Sequence, residues 1–279
     1  MQLIQKTRKE RILILAKTYP SPSAQHIETS CVAGINEDGL MRRLYPVPFR
    51  IIEQGQQFKK WQWIKVQIQK ANKDHRPESH KVFIDTINCG DTIDTKKEWA
   101  ARREWLEKFP NFDSLEAINA SRLQKGISLA LLRPKQVLDL VISKARNSDW
   151  TDEEKEKLKR MQMQYDLFND EEAKQQTAEL RKVPFDFYYR FKCQTSEGDQ
   201  EYSLKIVDWE AGALFWNCRK NHGENWEAPF RAKLEADLMK KDLMFLIGNQ
   251  HRFQDQWLII SLIYPPKHKP LEVVQLSLF

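Results

Sequence analysis

The chain has 279 residues, 41% of them hydrophobic and 30% charged, with a formal net charge of +6. That composition is globular and long enough for two domains, and it excludes a disordered or fibrous chain. No apolar run approaches the ~18–20 residues of a membrane span, and Met1 to Arg11 lacks a signal-peptide core, so a cytoplasmic protein with no membrane partner is expected. The charge is uneven: residues 1–110 hold 20 Lys+Arg against 13 Asp+Glu, a net of +7, and residues 111–279 hold 25 against 26, a net of −1. A basic first part points to a polyanion partner.

In chain order, residues 11–18 read as a buried strand. Residues 27–35 and 40–46 flank Asn36-Glu37-Asp38-Gly39, a hairpin signal. Residues 61–71 alternate, with Ile64, Val66 and Ile68 on the inward face of a long strand. Residues 81–88 supply another. Together they predict a small barrel or strongly curved sheet.

Thr95 is placed to cap a helix from about Lys96 to Phe109. Residues 128–142, interrupted by Pro134, read as a strand and a short segment. Thr151-Asp152-Glu153-Glu154 has the form of a capping box, followed by an apolar stripe at Leu158, Met161, Tyr165 and Phe168. Polar residues from Asn169 to Lys182 suggest a boundary. Strands are expected at 185–194 and 200–207, helices at about 209–221 and 227–240, and buried central strands at 243–248 and 257–263.

The expected fold class is α+β. Its parts are a strand-rich basic module over 1–95, a helical middle and linker over 96–182, an α+β module over 183–264, and an extended tail over 265–279.

Four groups are candidates for chemistry. Arg42, Arg43, Tyr45 and Arg50, with Lys59, Lys60 and Trp63, interleave cations with aromatic rings, the pattern that contacts phosphates and stacks on bases. The loop Asp74-His75-Arg76-Pro77-Glu78-Ser79-His80 adds Arg76 to that set, and His75 and His80 are acid/base or ligand candidates. Glu201, Lys205, Asp208 and Glu210 offer carboxylates and a lysine near a strand end, as a Mg²⁺-dependent nuclease needs. In that group the lysine precedes Asp208 and Glu210, the reverse of the common restriction-nuclease order, and Asp208 equally suits a helix cap. Cys193, Cys218 and His222 are a split metal-site candidate. Cys31, Cys89, Cys193 and Cys218 form no C-x-x-C pair. Walker, dinucleotide-binding and serine-hydrolase motifs are absent, so no cofactor beyond Mg²⁺ for a nuclease is indicated.

The sequence ends in Gln275-Leu276-Ser277-Leu278-Phe279 after a Pro- and Lys-rich spacer at 265–270. Q-L-S-L-F resembles the peptide by which bacterial replication and repair proteins hold the β sliding clamp. That resemblance implies Gln275 fixes register while Leu276, Leu278 and Phe279 fill an apolar pocket. The segments K-T-Y-P-S-P-S (17–23), R-L-Y-P-V-P-F-R (43–50), R-P-E-S (76–79) and W-L-I-I-S-L-I-Y-P-P (257–266) resemble an uncharacterised family of bacterial cytosolic proteins, which implies no activity.

The reading from sequence is a DNA-associated protein recruited to the clamp, in replication surveillance, repair or phage defence. A metal-dependent nuclease at the clamp, and an RNA-acting protein whose tail is a packed strand, are the alternatives.

Overall fold

The structure, a computed structural model, describes residues 7–22, 28–50, 52, 54–156 and 181–267. Five strands close a barrel at the N-terminal side: β1 (Arg8–Lys17), β3 (Glu28–Asn36), β4 (Met41–Val47), β5 (Gln62–Lys70) and β6 (Ser79–Thr92). A two-residue β2 (Ser21–Pro22) edges β3. Around the barrel the order is β1-β3-β4-β6-β5 and back to β1. All pairs are antiparallel except β4–β6, which is parallel. Counting only the five barrel strands, this is the 1-2-3-5-4-1 closure of an OB-fold.

The two-residue period of the strands builds this barrel. Ile12, Ile14, Leu44, Ile64, Val66, Ile68 and Val82 fill its interior. One mouth is closed by charge: Arg42, on the inward face of β4, donates to Glu10 at 2.6 and 2.9 Å, and Arg8 donates to the same carboxylate at 2.7 Å. The β3–β4 turn forms as the sequence indicates. Asn36 accepts from the Leu40 amide at 2.8 Å, and Gly39 takes φ +80°.

The second layer is a seven-stranded sheet. Its strands are β7 (Asn111–Phe112), β8 (Leu129–Leu132), β9 (Gln136–Lys144), β10 (Phe185–Thr195), β11 (Gly198–Ile206), β12 (Met244–Asn249) and β13 (Trp257–Ile263). The order is β7-β8-β12-β13-β11-β10-β9. Among the described residues, helices include α1 (Lys96–Leu106), α2 (Leu115–Lys125), α3 (Trp209–His222) and α4 (Glu227–Arg231), the last continued by a π turn at Ala232–Asp237.

Strands β8 and β12 are apolar at nearly every position because both faces are covered. Ala130, Leu132, Phe245 and Ile247 pack with Phe215, Trp226, Phe230 and Leu234 of the helical layer. Leu129, Leu131, Met244 and Leu246 pack with Leu13, Leu15, Ala33, Ile35 and Trp63 of the barrel, and with Trp99 of α1. The barrel therefore lies on the sheet, and the two share a core.

Two expectations change here. Residues 129–144 do not belong to a separate helical middle. β8 and β9 are strands of the C-terminal sheet, paired with β12 and β10, so the division falls near residue 110 rather than at 182. Apolar periodicity cannot reveal which distant strand supplies a partner. Thr95 makes no side-chain cap to α1; Asp94 instead accepts from the Lys96 amide at 2.9 Å. The capping box at Thr151 does form, with Thr151 N donating to Glu154 at 2.8 Å and Glu154 N donating to Thr151 Oγ1 at 3.3 Å. The stripe from Leu158 to Phe168 and the tail peptide from Gln275 to Phe279 lie outside the described residues.

Candidate nucleic-acid interface

On β4, Met41, Arg43 and Tyr45 project outward while Arg42 and Leu44 point into the barrel. The outward residues meet different fates. Met41 is in the core shared with the sheet. Arg43 is 4% exposed; it donates to the Ser128 carbonyl at 2.7 Å and to Cys31 Sγ at 3.3 Å. Gly248 leaves room for this, since a Cβ there would sit 3.1 Å from the Arg43 guanidinium. Tyr45 is 48% exposed, its hydroxyl 3.4 Å from Thr29 Oγ1.

The β5–β6 loop is held against the sheet. Arg76 forms an ion pair with Asp74 at 2.6 Å and donates to the Asn249 carbonyl at 2.7 Å. Glu78 accepts from the Ser128 amide at 2.9 Å and its hydroxyl at 2.7 Å. Burial pushes the Asp74 carboxyl up, but hydrogen bonds from Arg76 and Ser79 and the Arg76 charge outweigh it and hold it well below the usual carboxylate range. Lys70 donates to the carbonyls of Arg76 and Ser79, and burial lowers its pKa.

Between this loop, the outer face of β3–β4 and the β12–β13 turn lies a cleft of about 890 Å³. Its floor is apolar, from Gly248, Leu258 and Ile260. Its rim carries Tyr45, Lys70, Lys73, Lys81 and His251. Lys73, Lys81 and His251 are exposed. An apolar floor beside a ring and a cationic rim suits a nucleobase with its phosphates.

The remaining basic and aromatic candidates fall elsewhere. Trp63 is buried against Trp105 at 4.9 Å, with the Arg11 guanidinium 4.7 Å above it. Lys60 donates to the Leu262 carbonyl at 2.6 Å and pairs with Glu210 at 3.4 Å. Lys59 is exposed, and Arg50 is half-buried in the turn after β4. Of the eight nucleic-acid candidates, the structure brings Arg43, Tyr45 and Arg76 to the cleft. It places Arg42, Lys60 and Trp63 in structural contacts away from it. Sequence reading missed Lys70, Lys73 and Lys81, which flank the histidine-containing loop, and His251, which only the tertiary fold brings near.

The group expected to serve a nuclease is dispersed. Glu201 pairs with Lys192 at 3.4 Å, and Lys205 with Asp186 at 2.7 Å. Asp208 is buried at the α3 N-terminus, where its two oxygens accept from the amides of Glu210 and Leu262 at 2.9 Å each. Burial drives that carboxyl up, against the pull of Lys60. Both Asp208 oxygens are thus engaged by backbone, and Glu201 and Lys205 are held in separate pairs. This is a helix cap and a set of ion pairs rather than a metal-binding set.

Beside it is a smaller cleft of about 510 Å³, lined by Lys17, Lys60, Trp209, Glu210 and Tyr264. The Lys17 ammonium lies 3.6 Å from the Phe49 ring centroid and donates to the Phe58 carbonyl at 3.1 Å; burial lowers its pKa to about 8. Cys193 and Cys218 sit in the helical-layer core, with the Cys193 thiol pushed up to about 11 by burial, while His222 is exposed at the end of α3. His80 is buried, its Nδ1 2.7 Å from the Glu78 carbonyl, and His75 is exposed.

The division of the fold near residue 110 is also the division of its sequence families. Residues 111–279 match the family described as Domain of unknown function (DUF8757). The chain belongs to that family. Residues 8–108, the barrel and α1, match Domain of unknown function (DUF8758). No curated protein matches the chain. Among solved structures, one similar chain comes from a replication protein A heterotrimer bound to ssDNA. It is 10% identical with a TM-score of 0.24, and the match covers 93% of this chain and 66% of that one. Among the described residues, no helix is long and apolar enough to cross a membrane.

Proposed function

We propose that this chain binds single-stranded nucleic acid, DNA in the first instance, in the cleft between barrel and sheet. We further propose that the Q-L-S-L-F peptide at 275–279 tethers it to the bacterial β sliding clamp. The observation that carries the first part is the position of the cleft. It lies on the second and third strands of a five-stranded OB barrel and beside the loop between strands four and five, where that architecture receives oligonucleotides. Tyr45 supplies a stacking surface and Lys73 and Lys81 supply phosphate contacts. The second part rests on the five residues themselves. A weak DNA binder gains effective concentration when a second contact holds it at the clamp, which suits replication surveillance, repair or defence.

Fluorescence anisotropy with labelled single-stranded DNA, RNA and duplex tests the first part. Single strands bind more tightly than duplex, and Tyr45→Ala weakens them; equal binding of duplex, or no effect of the substitution, sinks it. Surface plasmon resonance on immobilised β clamp tests the second. The intact chain binds, and removing residues 275–279 abolishes binding; retention after deletion refutes the tether.

A further inference from the structure

The β3–β4 groove of an unobstructed OB barrel is open along its length and holds ~4–16 nucleotides. Here most of it is covered. Moving along the outer face, Ile35, Met41 and Ala33 are buried in the core shared with the sheet, and Arg43 is bound to Ser128. Among the described residues of this face, Cys31 is half-buried and Tyr45 is exposed. Thr29, two residues and about 7 Å beyond Cys31, is buried again, which leaves room beside Tyr45 for roughly one or two stacked bases.

Both flanks are also fastened. On one, Arg76 and Glu78 hold the β5–β6 loop to Asn249 and Ser128. On the other, the Tyr19 amide donates to the Val207 carbonyl at 2.8 Å and the Tyr19 hydroxyl accepts from Trp216 Nε1 at 2.9 Å. The Tyr19 ring lies so close to α3 that a Cβ on Gly212 would fall 2.2 Å from it. A strand entering past Tyr45 meets the buried Arg43, held to Ser128 where the barrel face passes under the sheet. Arg43 stands there without a paired carboxylate among the described residues, and its buried Nε has no hydrogen-bond acceptor. The Glu78 carboxylate balances the Arg43 charge only through the Ser128 hydroxyl, so an acceptor on the ligand is favoured at this closed end.

We infer that the cleft receives the end of a nucleic-acid strand, with the terminal base or two between Tyr45 and the apolar floor, rather than a strand passing through. This rests on the nucleic-acid reading above. The shared chemistry is a terminal nucleotide, and a free nucleotide is the other source of it.

The experiment compares a linear single strand with its covalently closed circle of identical sequence, using the full chain and competition against a labelled linear probe. The linear strand is expected to bind at least about tenfold more tightly than the circle, a difference of about 1.4 kcal/mol. Tyr45→Ala is expected to remove that difference. Streptavidin on a biotinylated terminus is expected to block binding at one end and not the other. Equal binding of the circle, or indifference to blocks at both ends, overturns end recognition and leaves nucleic-acid binding standing. A mononucleotide that competes as well as the linear strand replaces strand end with free nucleotide and also overturns it. Binding of neither strand nor circle overturns the underlying reading itself.

Discussion

The open end of the β4 face and its covered end are built from neighbouring residues of one basic, aromatic stretch, yet they do opposite work. At the covered end, Arg43 meets Ser128 and Met41 packs into the shared core. At the open end, two residues away, Tyr45 faces solvent beside Lys73 and Lys81. The β5–β6 loop repeats the contrast: Arg76 and Glu78 are buried in the seam, while Lys73 is exposed. Cations in a basic segment thus divide into those that join domains and those left facing solvent. Net charge cannot separate the two, because a guanidinium bonded to a carbonyl and one facing solvent count alike.

The sharpest way to break this comparison is to remove a seam residue. Glu78→Ala leaves the buried Ser128 amide and hydroxyl without their acceptor and should cost about 3 kcal/mol of stability, since each orphaned group costs ~1–3 kcal/mol. Urea unfolding measures it, and a loss below about 0.5 kcal/mol would mean the seam is not held as described. Tyr45→Ala should do the reverse. It should leave stability within about 0.5 kcal/mol and weaken single-strand binding by about 1–3 kcal/mol, the worth of one stacked base. If both quantities fall together, Tyr45 belongs to the architecture.

Smaller effects refine the division. Lys73→Gln and Lys81→Gln should each reduce the salt dependence of binding by about 0.7 in the slope of log K against log salt. Lys60→Gln should leave that slope unchanged, because its ammonium is engaged by Leu262 and Glu210. An equal change for all three would erase the distinction. The mildest effect is on pH dependence. The Asp74 carboxyl has a lower pKa folded than unfolded, so its contribution is complete above the ordinary value of 3.8 and is lost as pH falls below it. Asp74→Asn should flatten that acid limb of the stability curve. An unchanged limb would show that the Asp74–Arg76 pair contributes nothing to the seam.

Much of the fold was legible beforehand. The inward set Ile64, Val66 and Ile68, the Asn36–Gly39 turn, the capping box at Thr151 and the central strands 243–248 and 257–263 follow from period, turn chemistry and apolar runs. The site was legible only in part. Tyr45 was identifiable as a ring among cations, but Lys73, Lys81 and His251 acquire meaning only beside it. Asp208 shows the ambiguity in one residue: its place before Trp209-Glu210 suits a cap or a ligand, and the amide of Leu262, 54 positions away, engages its second oxygen.

What the sequence by itself determined is local: alternation, turns, caps, the basic bias of the first 110 residues and the five-residue tail. Those depend on backbone sterics and on neighbours a few positions apart. Tertiary structure decided the rest. β8 and β9 joined the C-terminal sheet, the barrel's outer face was covered along most of β4, and Arg42, Arg43 and Arg76 became structural contacts. The physical reason is that burial and hydrogen-bond satisfaction are set by partners distant in sequence. A basic residue becomes a seam or a site according to what the other domain places against it.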